Sequence, residues 1–452
     1  MVHFVPLRDC GVAVHASTTQ PTNGGIGSFS RACVRVGFLG WGPGAMNRAA
    51  VHRFTRGTLM TDHDATISEM RSVAAEAGLR RATILAWRDL DDPEAGGSEV
   101  SAHMTAKYWA EAGLTVTMRT SFAAGQSPIL DRDGYRVVRK AGRYLVFPRA
   151  AISEMVQKPD PSHGLMEIWN GMPFFSPVWS RNPRIAVVHH VHGEMWQMTL
   201  PPRLAAFGNF IESTLAPPFY RRTAIVTPSM SSKQELVSAL GFSPDRVTVV
   251  EPGIGPRFTP GDAKSPTPLV AAVGRLVPVK RFHLLIDALV AVKPRHPTLE
   301  AVIAGEGYER PRLERHVRAA GAESWIHLPG RIPDEEVVDL FRRAWTVASA
   351  SAREGWGLTI SEAAGCGTTA VATRIVGHLD AIDDGRTGLL AGDQAEMVEC
   401  LDRVLGDDEL RIALSKAACE RASALTWERS GLGILEVLAR EAIRRRELES
   451  RR

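Results

Sequence analysis

The sequence predicts an α/β protein built from two doubly wound parallel-sheet domains that face each other across a crevice. Three observations lead there. Two successive series of short apolar runs alternate with helical segments, the pattern of parallel sheets covered on both faces. Proline and glycine cluster between the series, in Pro252-Gly-Ile-Gly-Pro and Thr259-Pro-Gly-Asp-Ala-Lys-Ser-Pro-Thr-Pro, and read as an interdomain linker. The length of 452 residues supports two or three domains with ample core.

The first element, residues 1–78, is rich in Gly, Thr, Ser and Arg. It is expected to be a disordered leader or an upstream extension, with Met60 and Met70 as alternative starts. Within it, Val34-Arg-Val-Gly-Phe-Leu-Gly-Trp-Gly-Pro-Gly imitates a strand and glycine loop. The spacing is not G-x-G-x-x-G, and Pro43 with Gly44 starts a helix poorly. The first domain spans 79–258. Its strands are Ala82-Thr-Ile-Leu-Ala-Trp, Leu114-Thr-Val-Thr-Met, Ile185-Ala-Val-Val, Ala224-Ile-Val-Thr and Val247-Thr-Val-Val, with helices near 99–112 and 231–240. The second domain spans 259–425. Its strands are Leu269-Val-Ala-Ala-Val, Leu299-Glu-Ala-Val-Ile-Ala, Trp325-Ile-His-Leu, Thr346-Val-Ala-Ser and Thr369-Ala-Val-Ala, with helices near 283–292, 309–320 and 334–344. Residues 426–452 form a C-terminal helix ending in a charged run. Ligands of such folds bind at the carboxyl ends of the strands.

Composition narrows the function classes. Apolar content of 44% and charged content of 23% are those of a globular protein. A formal charge of +4 suits anionic substrates or an anionic membrane surface and does not imply nucleic acid. Five cysteines without CxxC spacing fit a reducing compartment and argue against a zinc site or disulfide framework. No apolar run reaches the roughly 18 residues that span a bilayer, and no signal peptide is visible. The expected location is the cytoplasm, with peripheral contact at the inner membrane face allowed.

The densest chemical signal lies in Ser349-Ala-Ser-Ala-Arg-Glu-Gly-Trp-Gly-Leu-Thr-Ile-Ser-Glu, where Glu354 and Glu362 flank a turn and a helix start. The helix N-terminus between them is an anion site. The pair suits a ligand with a diphosphate in its middle and hydroxyl-rich ends. Bare Glu pairs at this spacing arise by chance, so the turn and helix carry the weight. Arg275 and Lys280 follow the first strand of the second domain and reach a diphosphate as a planar fork and a mobile point charge. Their alternative is a solvated charge pair. Gly96 and Gly97 open the first domain's first helix, either as a phosphate loop or as a plain turn with Ser98 as N-cap. Gly305 and Gly307 would let the chain pass close to a flat base, and the backbone near Ile332 would read a base edge. His189, His190 and His192 end a strand; a polar crevice rim is expected there rather than a metal site. Cys366 reads as a small core residue. Arg444-Arg-Arg and Arg451-Arg suit anionic lipid, though a solvated helix end is commoner.

Taken in order, Gly-Gly-Ser-Glu, Val-Gly-Arg-Leu with Lys280, Ala-Gly-Glu-Gly and Glu354 to Glu362 make the chain from about 81 to about 440 resemble the retaining glycosyltransferases of family 4, with the GT-B fold of two Rossmann-like domains. Glu167-Ile-Trp-Asn-Gly-Met-Pro-Phe-Phe-Ser-Pro is similar too. The resemblance implies that Glu354 and His190 meet the donor sugar, with His189 or His192 as alternatives. It implies that the backbone of Gly355, Trp356, Gly357 and Leu358 contacts sugar or phosphate, and that Glu362 holds the ribose diol. It implies that Arg275 and Lys280 grip the diphosphate, with Gly97 opposite on the acceptor side. Two departures stand out. Pro252-Gly-Ile-Gly replaces the usual Asn-Gly-Val/Ile-Asp, and Trp356 replaces a Phe, which bears on donor choice. The implied activity is hexosyl transfer from a nucleoside-diphosphate sugar, without cofactor or metal, to a small-molecule, lipid-linked or glycan acceptor. A same-fold phosphorylase or synthase and a non-catalytic nucleotide-sugar-binding regulator are the rival expectations. A dehydrogenase is disfavoured by the lack of a dinucleotide fingerprint.

Overall fold

A computed structural model describes residues 61–122, 125–261 and 263–451. The glycine-rich run at 34–44, Cys10, Cys33 and Met60 fall outside the described residues. The leader expected over 1–78 is too long at its end. Residues Asp62–Glu76 form a helix, closed by a capping box at Thr61 and Asp64. Its Met70 and Ala74 are buried in the first domain's core.

The N-terminal domain holds strands β1 (Arg81–Leu85), β2 (Thr115–Ser121), β3 (Ile129–Arg132), β4 (Tyr135–Ala141), β5 (His163–Trp169), β6 (Arg184–Val188), β7 (Ala224–Thr227) and β8 (Val247–Val249). They form one sheet in the order β3-β4-β2-β1-β5-β6-β7-β8. Every pairing is parallel except β3 with β4. That hairpin turns on Asp133 and Gly134, both at positive φ, as a two-residue loop matched to strand twist requires. The C-terminal domain holds β9 (Leu269–Val273), β10 (Glu300–Ala304), β11 (Ile326–Gly330), β12 (Thr346–Ser349), β13 (Thr369–Thr373) and β14 (Gly388–Ala391). Its order is β11-β10-β9-β12-β13-β14. Strand order therefore reverses between β9 and β12, and the chain leaves the adjacent ends of both in opposite directions. A crevice forms at such a point.

The chain passes between the domains twice. Residues 250–258 carry it forward, and residues 422–427 carry it back. Ile254 N–H donates to Leu425 O at 3.0 Å, and Ile254 bridges Thr426. Gly253, which the usual motif shares, is confined by the backbone of Thr426 and Trp427 and has no room for a Cβ; the changed positions Pro252 and Gly255 have no such contact to explain them. The final helix, Trp427–Ser450, is not a free-standing tail. It completes the N-terminal core with Trp427, Ile434, Leu435 and Leu438. Gly164 of β5 makes space for Leu438, and Trp109 Nε1 donates to Gly431 O at 2.9 Å. Each such buried aliphatic side chain contributes about 1.5–3 kcal/mol. The arginine run is partly engaged: Arg444 and Arg445 each hydrogen-bond the buried Glu441 at 2.8 Å.

Candidate active site

The crevice residues come from the strand ends that the topology places side by side. Arg275 and Lys280 follow β9, and Glu354 follows β12. Lys280 Nζ makes an ion pair with Glu354 Oε1, and the Ser351 hydroxyl donates to the same oxygen at 2.8 Å. Burial alone would push the Glu354 carboxyl up. The Lys280 ammonium beside it, with His378 near, holds it below the ordinary carboxylate range. Glu354 is therefore a fixed anion and Lys280 a positioned cation, both largely buried.

The turn after Glu354 is shaped by close contacts. A Cβ on Gly355 would lie 2.5 Å from His189 O of the opposite domain. Gly357 sits at φ +105°, caps helix Leu358–Gly365, and lies against the His378 ring. Leu358 faces Gly97, whose added Cβ would approach its Cδ1 to 2.9 Å. Trp356 points inward. It is buried, and its Nε1 donates to Ser361 Oγ at 2.8 Å. The expectation that its side chain tunes donor choice is thereby corrected, because the indole packs in the core.

Glu362 lies one turn into the same helix. It is partly exposed and takes no hydrogen bond from the described residues. Burial raises its carboxyl to about 8, against the pull of Arg257 and with the push of Asp334. A carboxyl held at a crevice without a partner offers its oxygens to a ligand hydroxyl pair, and does so fully once ionised.

Across the crevice, Gly96 and Gly97 open helix Gly97–Glu111. Ser98 is not the N-cap; Gly96 is, and the Glu99 side chain accepts from Gly96 N at 2.7 Å and from Ser98 Oγ at 2.9 Å. Arg275 reaches over to donate to Glu94 O at 3.3 Å and lies beside Gly96. The loop before Gly96 is held by ion pairs: Arg132 to Asp89 at 2.8 Å, Arg143 to Asp92 at 2.8 Å, and Arg88 to Glu99 at 3.3 Å.

Gly305 and Gly307 have a packing reason of their own. A Cβ at either would fall inside the Gly274 or Leu276 carbonyl oxygen. They let the loop after β10 lie against the loop that carries Arg275. Ile332 packs on the neighbouring core cluster. Cys366 is buried there too, and burial pushes its thiol up to about 11.

The histidines divide by role. His192 stacks with His190 and packs on Trp196, and its N–H donates to the buried Glu212 at 2.9 Å. His189 and His190 each bury an unpartnered Nε2. Burial lowers His189 to about 4. Burial, with His192, His189, Arg353 and Lys280 near, takes His190 well below its ordinary value. Sequence reading missed His378, whose Nδ1 is within hydrogen-bond distance of Thr373 O at 2.9 Å and whose Nε2 is buried without a partner. It also missed Arg353, which bonds Val191 O and Glu235 of the opposite domain. Asp380 was missed as well; it accepts from Met230 N at 2.7 Å and Ser231 N at 3.1 Å at the start of helix Met230–Leu240. A lone His, Arg or Asp carries no pattern that would have singled these out.

His189, His190 and His378 are all neutral in the fold, because burial depresses each. The unfolded chain takes up protons near pH 6.5 and the fold does not, so their contribution is present above that pH and is lost on acidification towards about 4. Melting temperature should fall on going from pH 7 to 5. The His189→Gln/His190→Gln variant should show a flatter acid limb; an unchanged slope would contradict the burial of neutral imidazoles.

A family model described as "Glycosyl transferases group 1" matches residues 258–421, and one described as "Glycosyltransferase Family 4" matches 95–258. A D-inositol 3-phosphate glycosyltransferase of Corynebacterium urealyticum is 31% identical over 42% of this chain and 50% of its own length. The chain spans about half the length of the curated relatives it matches. Among solved structures, sucrose-phosphate synthase from Thermosynechococcus elongatus superposes with a TM-score of 0.68 at 17% identity, over 82% of this chain and 100% of that one. Anabaena HepE in complex with UDP and glucose gives 0.61 at 18%, over 79% and 99%. Both likenesses establish the two-domain fold.

Proposed function

The chain belongs to the family 4 glycosyltransferases, and on that premise we propose that it moves a hexosyl group from a nucleoside-diphosphate sugar to an acceptor hydroxyl with retained anomeric configuration. One observation carries the reading. The Lys280–Glu354 pair and the unpartnered Glu362 stand on either side of one helix N-terminus, at the point where strand order reverses. That order suits a ligand with a sugar, a diphosphate and a ribose in line.

In this reading Glu354 accepts from sugar hydroxyls while Lys280 turns one of its N–H groups to the diphosphate. Arg275 and the N–H groups of Leu358 and its neighbours offset the charge that develops on the leaving phosphate. The acceptor oxygen attacks the anomeric carbon on the face the phosphate leaves. The new C–O bond forms as the sugar–phosphate bond breaks, and a phosphate oxygen takes the acceptor proton. The protein contributes positioning, charge and exclusion of water. The curated relatives' description makes an inositol phosphate the first acceptor to try.

A melting panel with UDP-, GDP- and ADP-glucose tests the donor assignment. One nucleotide should stabilise by roughly 2.7 kcal/mol at a hundredfold excess over Kd. Ribose hydroxyls bind the ionised carboxylate, so the shift should grow as pH rises through about 8 and should lose that dependence in Glu362→Gln. No response to any of the three at millimolar concentration would refute the reading.

A further inference from the structure

The N-terminal domain presents a face that the transfer reaction does not use. Helix Val146–Met155 exposes Leu145 and Ile152 at its border and surface, and helix Pro202–Phe210 exposes Leu204, Phe207 and Phe210 at three-residue intervals. Phe219 extends the set on Pro217–Tyr220. Phe207 keeps 58% and Leu145 67% of its surface open, far beyond the scattered apolar exposure of an ordinary surface. These helices are neighbours. Val146–Met155 packs on Ser176–Trp179, that on Pro217–Tyr220, and the intervening π turn Ile211–Leu215 joins the last to Pro202–Phe210.

The charge on the same segments is one-sided. From Tyr135 to Lys158 the only acid is Glu154, which is buried and bonded to Arg119 at 2.6 Å. From Met195 to Gln234 the only acid is Glu212, buried and bonded to His192 N and Trp196 Nε1. Arg149, Arg203, Arg221 and Arg222 are exposed. Apolar side chains on segments that carry four exposed arginines, with Glu154 and Glu212 turned inward and Glu194 the one exposed acid at their edge, match an interface of hydrocarbon beneath anionic headgroups.

We infer that this face docks peripherally on an anionic lipid surface. Among the described residues no helix is long and apolar enough to cross a membrane, so the contact lies in the interface. The docking face adjoins the crevice. Helix Met195–Thr199 packs both on Pro202–Phe210 and on the turn Pro278–Lys280 that carries the diphosphate grip. Docking therefore holds the crevice beside the bilayer. It also moves the membrane contact away from the C-terminal arginines, two of which serve Glu441.

The test is co-sedimentation of the full chain with vesicles of phosphatidylcholine, with and without phosphatidylglycerol. Binding should require the anionic lipid and weaken with salt. Leu204→Ser/Phe207→Ser and Arg221→Glu/Arg222→Glu should each lower partitioning by about tenfold or more. Both should keep the wild-type melting temperature, which shows that the fold survives. Equal binding to neutral vesicles, no binding, or unchanged partitioning in both variants overturns the inference. So does a wild-type dimer in sedimentation velocity that Leu204→Ser/Phe207→Ser dissolves without any vesicle binding, since the face would then meet a second copy. Each result is read without turnover and is independent of the donor assignment.

Discussion

Glu354→Ala should lower kcat/KM for hexosyl transfer by on the order of 10² to 10³, the usual cost of removing a charged group that holds the reacting centre. The side chain does two things at once. In the proposed reaction it presents an ionised carboxylate to the sugar, and in the structure it holds the Lys280 ammonium through their ion pair. Alanine leaves that ammonium largely buried with no counter-charge, so Lys280 should swing towards solvent. Glu354→Gln separates the two roles. It keeps the volume and a hydrogen-bond acceptor for Ser351 Oγ but removes the charge. Activity should fall nearly as far with Gln as with Ala, while melting temperature falls less. Near-normal kcat/KM in both variants would remove Glu354 from the donor site.

Gly305→Ala should have the largest effect on folding. Gly305 sits at φ +147°, where only glycine is comfortable, and an added Cβ would fall inside the carbonyl oxygen of Gly274. The ends of β9 and β10 must part to admit it, and a forced shift of two paired core strands is the kind of change that costs about 4 kcal/mol or more. Arg275 follows Gly274 directly, so donor stabilisation should vanish along with stability. Gly113→Ala is the control. It also has positive φ, at +101°, but nothing lies within 4 Å of its added Cβ, so it isolates the backbone strain of roughly 1–2 kcal/mol. Urea melts of the two variants should differ clearly; equal losses would mean that the Gly274 contact contributes nothing.

The sheet strands were legible where β-branched residues ran together, as in Ile185-Ala-Val-Val and Thr369-Ala-Val-Ala, because burial on both faces leaves no room for alternation. The β3–β4 hairpin was missed although Asp133-Gly134 is a strong turn signal, since its flanking residues are mixed and charged. Helix Asp62–Glu76 reads as leader in the sequence because its apolar stripe is short; only the packing of Met70 on the final helix reveals its place. In the site, Glu354, Lys280 and Arg275 were legible because they stand at strand ends in fixed order. The reason for Gly305 was not, because it depends on which loop lies next to it. His378, Arg353 and Asp380 are set by contacts across the crevice or between strands, and such contacts leave no spacing to read.

The paired passages between the domains have a mechanical consequence. Two chain segments bonded side by side through Ile254 and Leu425 behave as a narrow ribbon rather than a single thread. A ribbon bends easily about its width and resists torsion. Such a ribbon favours hinge bending of the lobes over rotation about the connection, which would keep Arg275 in register with Gly96 and Leu358 with Gly97.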